Sequence, residues 1–229
     1  MSRALVVLSG GQDSTTCAVM AKQQFDEVYA VTFNYGQKHL TEIGSAIKIA
    51  EALSMPLEIV DLGPQILKGS SPLISGNALG VYNSPEELPS GVEPTFVGGR
   101  NILFLTLAAN RADCVGIKDI FTGVCQADFA GYWDCRQTFI DKMQAALNEG
   151  FYREERFKIH TPLMNLTKTQ SVRIAYGILG DKKFDELFAL THTCYAGVEG
   201  GCGKCHACIL RDKGFTDAGI PDPIWRFRK

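Results

Sequence analysis

Five consecutive apolar residues, 4–8 (ALVVL), run straight into the turn Ser9-Gly10-Gly11-Gln12-Asp13-Ser14. An unbroken apolar run closed by glycines suits a strand buried on both faces, as inside a parallel sheet. Helical spacing follows at once, over 14–23. A strand that feeds a helix through glycines places free N–H groups and the positive helix end at one point, which favours an anion. Gly-Gly turns are also common connections, so the glycines alone leave an ordinary strand-to-helix turn open.

The same rhythm continues down the chain. Strands are expected at 27–33 (EVYAVTF), 57–61 (LEIVD) and 119–124, and helices at 38–53, 101–114 and 136–147. The alternation predicts an α/β fold, a Rossmann-like parallel sheet with helices on both faces. Two stretches break it. Residues 63–99 are rich in Gly, Pro and Ser and read as a lid-like insertion. Past Thr191 the pattern gives way to a run of cysteines. The expected division is 1–190, a nucleotide-binding α/β unit, and 191–229, a metal-binding segment.

With 23 basic and 25 acidic residues the net charge is −2, which argues against a nucleic-acid platform. No run of about 18 apolar residues is present, and no signal-peptide layout, so a cytoplasmic protein without a membrane partner is expected. Of eight cysteines, Cys194, Cys202, Cys205 and Cys208 crowd together in CYAGVEGGCGKCHAC. That spacing suits four thiolates around one structural Zn²⁺ with no open coordination position, an iron–sulfur cluster being the competitor.

Within LTKTQ (166–170), Thr167 and Gln170 have the spacing of a capping box. Lys168 then sits in the first turn, where a cation opposes the helix dipole. It is either a solvated lysine or a charge that faces an anion shared with that helix end. Further groups gather in DFAGYWDCR (128–136): Asp128, Tyr132, Asp134 and Arg136 could stack on and pair with a purine-like heterocycle. Arg100 and Asn101 open a helix after two glycines, and Asn101 can serve as its cap.

The string SGGQDS after a first strand resembles the PP-loop of the ATP pyrophosphatases, which hold the β,γ-pyrophosphate of ATP while the α-phosphorus is attacked. Together with TFNYGQKH (32–39), VGGRNILFL (97–105), TGVCQADFAGYWDCR (122–136), TPLM (161–164) and the cysteine cluster, it is similar to the 7-cyano-7-deazaguanine synthase family of the queuosine pathway. The likeness runs from residue 4 to about 213. It departs at Gly98 and at Trp133, where proline is expected in each case.

The resemblance implies ATP contacts from Leu8, Ser9, Gly10, Gly11, Gln12, Asp13, Ser14, Thr15, Tyr35 and Gly36. It implies catalytic roles for Ser9, Asp13, Ser14, Arg100 and Lys168, and substrate contacts from Arg100, Asn101, Asp128, Gly131, Tyr132, Asp134 and Arg136. Asp13 would either bond loop N–H groups or touch Mg²⁺. The implied partners are ATP with Mg²⁺, a deazapurine carboxylic acid, free ammonia and a second copy of the chain. Two other readings stay open: another PP-loop adenylating enzyme that acts on tRNA, and a non-enzymatic zinc-knuckle module that binds nucleic acid.

Overall fold

The computed structural model describes residues 1–89, 91–126 and 132–227. Among these, five strands form one parallel sheet in the order β3-β2-β1-β4-β5. They are β1 (Arg3–Val7), β2 (Glu27–Asn34), β3 (Leu57–Asp61), β4 (Asp119–Phe121) and β5 (Lys158–His160). The helices are α1 (Gln12–Gln24), α2 (Thr41–Ala52), α3 (Arg100–Cys114), α4 (Gln137–Gly150), α5 (Lys168–Phe188, broken at Gly180) and α6 (His206–Ala218).

Side-chain alternation along the strands divides the core in two. Ala4, Val6 and Leu8 join Val28 and Ala30 under α1, α2, α5 and α6. Leu5, Val31 and Phe33 point the other way, under α3 and α4 with Leu105, Ala108 and Ile140. The central strands β1 and β2 are thus apolar on both sides, which is why they read as runs and not as alternation. Phe215 of α6 packs into the first of these cores beside Phe184 and Phe188, so the cysteine-bearing end shares its packing with the sheet.

The expected elements are present with shifted ends. The strand expected at 119–124 stops at Phe121, and the helix expected from residue 38 starts at Thr41. β5 was not foreseen: at three residues it is too short to carry a periodic signal. The described residues of 63–99 contain one 3₁₀ turn, Pro85–Glu87, and otherwise run irregularly. They are tied at intervals: Leu73 O accepts from Lys38 N at 2.9 Å, Ser71 Oγ donates to Thr95 O at 2.9 Å, and Tyr82 N donates to Lys204 O at 2.8 Å.

Strand order reverses between β1 and β4, and a ligand crevice is expected where the chain leaves such a pair. Backbones meet closely there. A Cβ on Gly123, just past β4, would lie 2.9 Å from Ser14 N and 3.0 Å from Asp13 C. Gly10 has φ +84°, and a Cβ on it would lie 2.3 Å from the Glu42 carbonyl oxygen. The loop after β1 is therefore wedged between the β4 exit and the first turn of α2.

Candidate active site

A cavity of about 320 Å³ opens at this reversal. Because every helix here follows a strand or a return loop, several start at the same edge of the sheet. The first residues of α1, α3, α5 and α6 (Gln12, Arg100, Lys168 and His206) all line the cavity. Each helix start leaves N–H groups without an intrahelical acceptor, so four positive ends surround one space.

The SGGQDS turn holds its own shape. Ser9 Oγ and Ser14 Oγ are 3.0 Å apart, Ser14 Oγ donates to Gly11 O at 3.1 Å, and Thr15 Oγ1 donates to the same oxygen at 2.8 Å. His192 N donates to Gly10 O at 2.9 Å, which ties the segment after α5 to the loop. Helix geometry then leaves the Gln12, Asp13 and Ser14 amides facing outward.

Among the described residues Asp13 does not bond the loop N–H groups, one of the two roles expected for it. Its carboxylate accepts from Lys168 Nζ at 2.5 Å, and among the described residues no loop N–H donates to it. Lys168 is thus not a solvated surface lysine. The Thr167 capping box is formed, with Thr167 Oγ1 accepting from Gln170 N at 3.3 Å and Gln170 Oε1 from Thr167 N at 2.9 Å. It fixes the helix end that carries Lys168 into the cavity.

Arg100 lies on the wall opposite the loop. Its Nη1 donates to Tyr35 Oη at 3.5 Å, and the Tyr132 and Tyr195 hydroxyls are its other neighbours. A guanidinium stays charged at any accessible pH, so this is a fixed cation walled by aromatic rings. Behind it, the buried carboxyl of Glu93 accepts from Thr95 N at 2.6 Å and from Thr95 Oγ1, which also meets Tyr132 Oη at 2.6 Å. Burial pushes the Glu93 carboxyl above its ordinary range.

Of the residues expected to bind, Leu8, Ser9, Gly11, Gln12, Asp13, Ser14, Tyr35, Arg100, Asn101, Tyr132 and Lys168 line the cavity. Gly10, Thr15 and Gly36 stand behind it as loop supports. Asp134 is buried, and its Oδ2 accepts from Asn101 N at 3.3 Å, so it caps α3 from a distance. Asn101 does not cap; its side chain donates to Asp134 O at 3.3 Å. Arg136 is exposed and stacks on Trp133, 3.8 Å from the ring centroid, away from the cavity. Asp128 and Gly131 lie outside the described residues. Burial pushes the Cys135 thiol up to about 12, so it is no nucleophile. Gly98 is exposed, and a Cβ on it would meet Phe96 Cε1 at 4.0 Å, an ordinary contact.

Sequence reasoning missed Glu42, His192, Tyr195 and His206, all in the cavity wall. Glu42 carries no motif of its own, and the others lie in or beside the cysteine run. Two buried atoms of the wall, Gln12 Oε1 and His206 Nδ1, have no hydrogen-bond partner among the described residues. Each costs about 1–3 kcal/mol while unsatisfied, an expense that a polar ligand or water would remove.

The Cys194, Cys202, Cys205 and Cys208 sulfurs all lie within 4.8 Å of one another and could hold a metal ion. Cys202 N donates to Cys194 Sγ at 3.4 Å and Cys205 N to Cys202 Sγ at 3.3 Å. Such N–H···S contacts suit thiolates, and four sulfurs this close suit a single tetrahedral ion. No helix among the described residues is long and apolar enough to cross a membrane.

Comparison with known proteins accords with this layout. The chain is 62% identical to a 7-cyano-7-deazaguanine synthase from Gloeobacter violaceus, over 100% of this chain and 98% of the relative. It is 43% identical to a protein of the same name from Laribacter hongkongensis, over 96% and 93%. An NH3-dependent NAD synthetase from Campylobacter jejuni superposes with a TM-score of 0.46 and 15% identity, covering 80% of this chain and 66% of that one, too loose a match to bear on function. The model of the queuosine biosynthesis protein QueC family matches residues 3–219, and the chain belongs to that family.

Proposed function

We propose that this chain converts 7-carboxy-7-deazaguanine and ammonia to 7-cyano-7-deazaguanine with two molecules of ATP, each released as AMP and pyrophosphate. The observation that carries the reading is the convergence of four helix starts and the SGGQDS turn on one cavity that also contains Arg100. The triphosphate lies along the outward amides of Gln12, Asp13 and Ser14, with Mg²⁺ accompanying it. Lys168 exchanges Asp13 for phosphate oxygens as ATP enters, and so supplies the cation that the turn itself lacks. Tyr35 and Leu8 border the nucleoside. Arg100 pairs with the substrate carboxylate and turns it toward the α-phosphorus, while the rings of Tyr132 and Tyr195 flank the heterocycle.

Attack of the carboxylate on the α-phosphorus expels pyrophosphate toward the loop and leaves an acyl adenylate. Ammonia displaces AMP to give the amide. A second adenylation, on the amide oxygen, then allows loss of AMP to the nitrile. Catalysis rests on position and on preset positive charge. The cysteine knot holds one Zn²⁺ with a structural role, since all four positions are filled by thiolates. Residues 1–190 act as the nucleotide unit with 63–99 as its cover, 191–229 as the metal segment, and the working form is a cytoplasmic homodimer.

Mass analysis of the product made with ¹⁵N-ammonia and ATP tests this. A labelled nitrile with two AMP per product is expected. Release of ADP in place of AMP would overturn the reading.

A further inference from the structure

One carboxylate in the cavity has no part in the chemistry so far. Glu42 stands in the first turn of α2, half-buried, with its backbone carbonyl packed against Gly10 of the loop. It lines the same cavity as Arg100, Tyr35 and Lys168. Among the described residues its carboxylate makes no hydrogen bond and no ion pair. Arg100 is close enough to act on it electrostatically. An acid without a partner among the described residues thus shares one cavity wall with the SGGQDS loop and with Arg100.

We infer that Glu42 is the general base that takes the proton from nitrogen when ammonia attacks the acyl adenylate. This deepens the proposed function and rests on it. In the step, the nitrogen lone pair forms the C–N bond, one N–H proton passes to the Glu42 carboxylate, and the C–O bond to AMP breaks as AMP leaves with its electron pair. The same carboxylate is placed to take the N–H proton lost when the adenylated amide becomes a nitrile.

Burial pushes the Glu42 carboxyl up to about 7, with Arg100 acting in the opposite direction. Tyr35, Lys38 and His39 from the β2–α2 connection, Arg100 from α3, the Asp13–Lys168 pair, Cys125, Tyr132 and Cys135 after β4, and His192, Cys194, Tyr195 and His206 toward the C-terminal end are the other charged or titratable groups of the wall. A base of this strength is ionised near neutral pH and accepts a proton readily. The phosphate of the adenylate, once bound, raises its proton affinity further.

The test uses the full-length enzyme and its Glu42→Gln variant, with a rapid-quench count of acyl adenylate, amide and nitrile. In the variant, adenylate is expected to form at close to the wild-type rate and to accumulate, while amide formation falls by about 10²- to 10⁴-fold. Hydroxylamine, a nucleophile that loses its proton more easily than ammonia, should restore turnover of the adenylate to the hydroxamate. The wild-type to Glu42→Gln ratio of amide formation should rise with pH through about 7. Equal amide rates in the two proteins, or an equal loss of adenylation and amidation in a folded variant, would overturn the inference and leave the proposed function standing. Failure of the wild type to make any adenylate would instead remove the proposed function.

Discussion

Two ion pairs of this chain, Arg211–Asp222 and Lys168–Asp13, are built in opposite ways. Arg211 of α6 donates to both oxygens of Asp222, at 2.6 and 2.9 Å, and to Thr191 Oγ1 and Thr193 Oγ1, each at 2.9 Å. Its side chain is 2% exposed and that of Asp222 is 0% exposed. Lys168 and Asp13 also lie close, at 2.5 Å, but their side chains are 18% and 26% exposed and they stand in the cavity wall. The planar guanidinium, with four bonds inside the protein, has no way to serve a ligand without leaving a buried charge unpaired. The flexible ammonium can turn from one anion to another at little cost. The first pair fixes the chain; the second is held ready.

The largest expected effect comes from the fixed pair. Arg211→Ala should lower the free energy of unfolding by about 3–5 kcal/mol, because it abandons a buried carboxylate. Urea denaturation followed by circular dichroism measures this, and a loss below about 1 kcal/mol would erase the contrast. Lys168→Ala should do the reverse. The rate of AMP formation should fall by about 10²- to 10³-fold, as for loss of one preset charge contact, while stability changes by no more than about 1 kcal/mol. Steady-state kinetics beside a thermal melt separates the two readouts. Thr167→Ala falls between: loss of the cap should cost about 1 kcal/mol of stability and reduce AMP formation less than Lys168→Ala does. The smallest effect belongs to a control on α6, the exposed Lys213–Asp217 pair at 2.7 Å. Lys213→Ala should leave both the melting temperature and the AMP rate unchanged, since water screens such a pair.

The strand runs and the SGGQDS turn were legible because a parallel sheet demands continuous apolar segments and its first turn is local. The capping box was legible for the same reason: Thr167 and Gln170 are three residues apart. Lys168 could be flagged as ill-placed for the dipole, but its partner is 155 residues away, and no local pattern reports such a distance. Asp134 shows the same limit. It reads as a substrate contact from its neighbours in DFAGYWDCR, and its bond to Asn101 N, 33 residues earlier, is not legible there. Nor does the string show that Arg136 stacks on Trp133, three residues back. The cysteine knot was legible from spacing alone, whereas Arg211, Asp222 and Glu42 left no local trace at all.

The contact under Gly123 has a consequence for how chains of this design can diverge. With 2.9 Å to Ser14 N, no side chain fits there unless the segment after β4 and the start of α1 part, so that junction is closed to gradual change. Novelty has to enter from the rim, through the exposed stretches of the irregular 63–99 segment that lie between its ties. A lineage built this way would keep its nucleotide grip and exchange what it feeds to it.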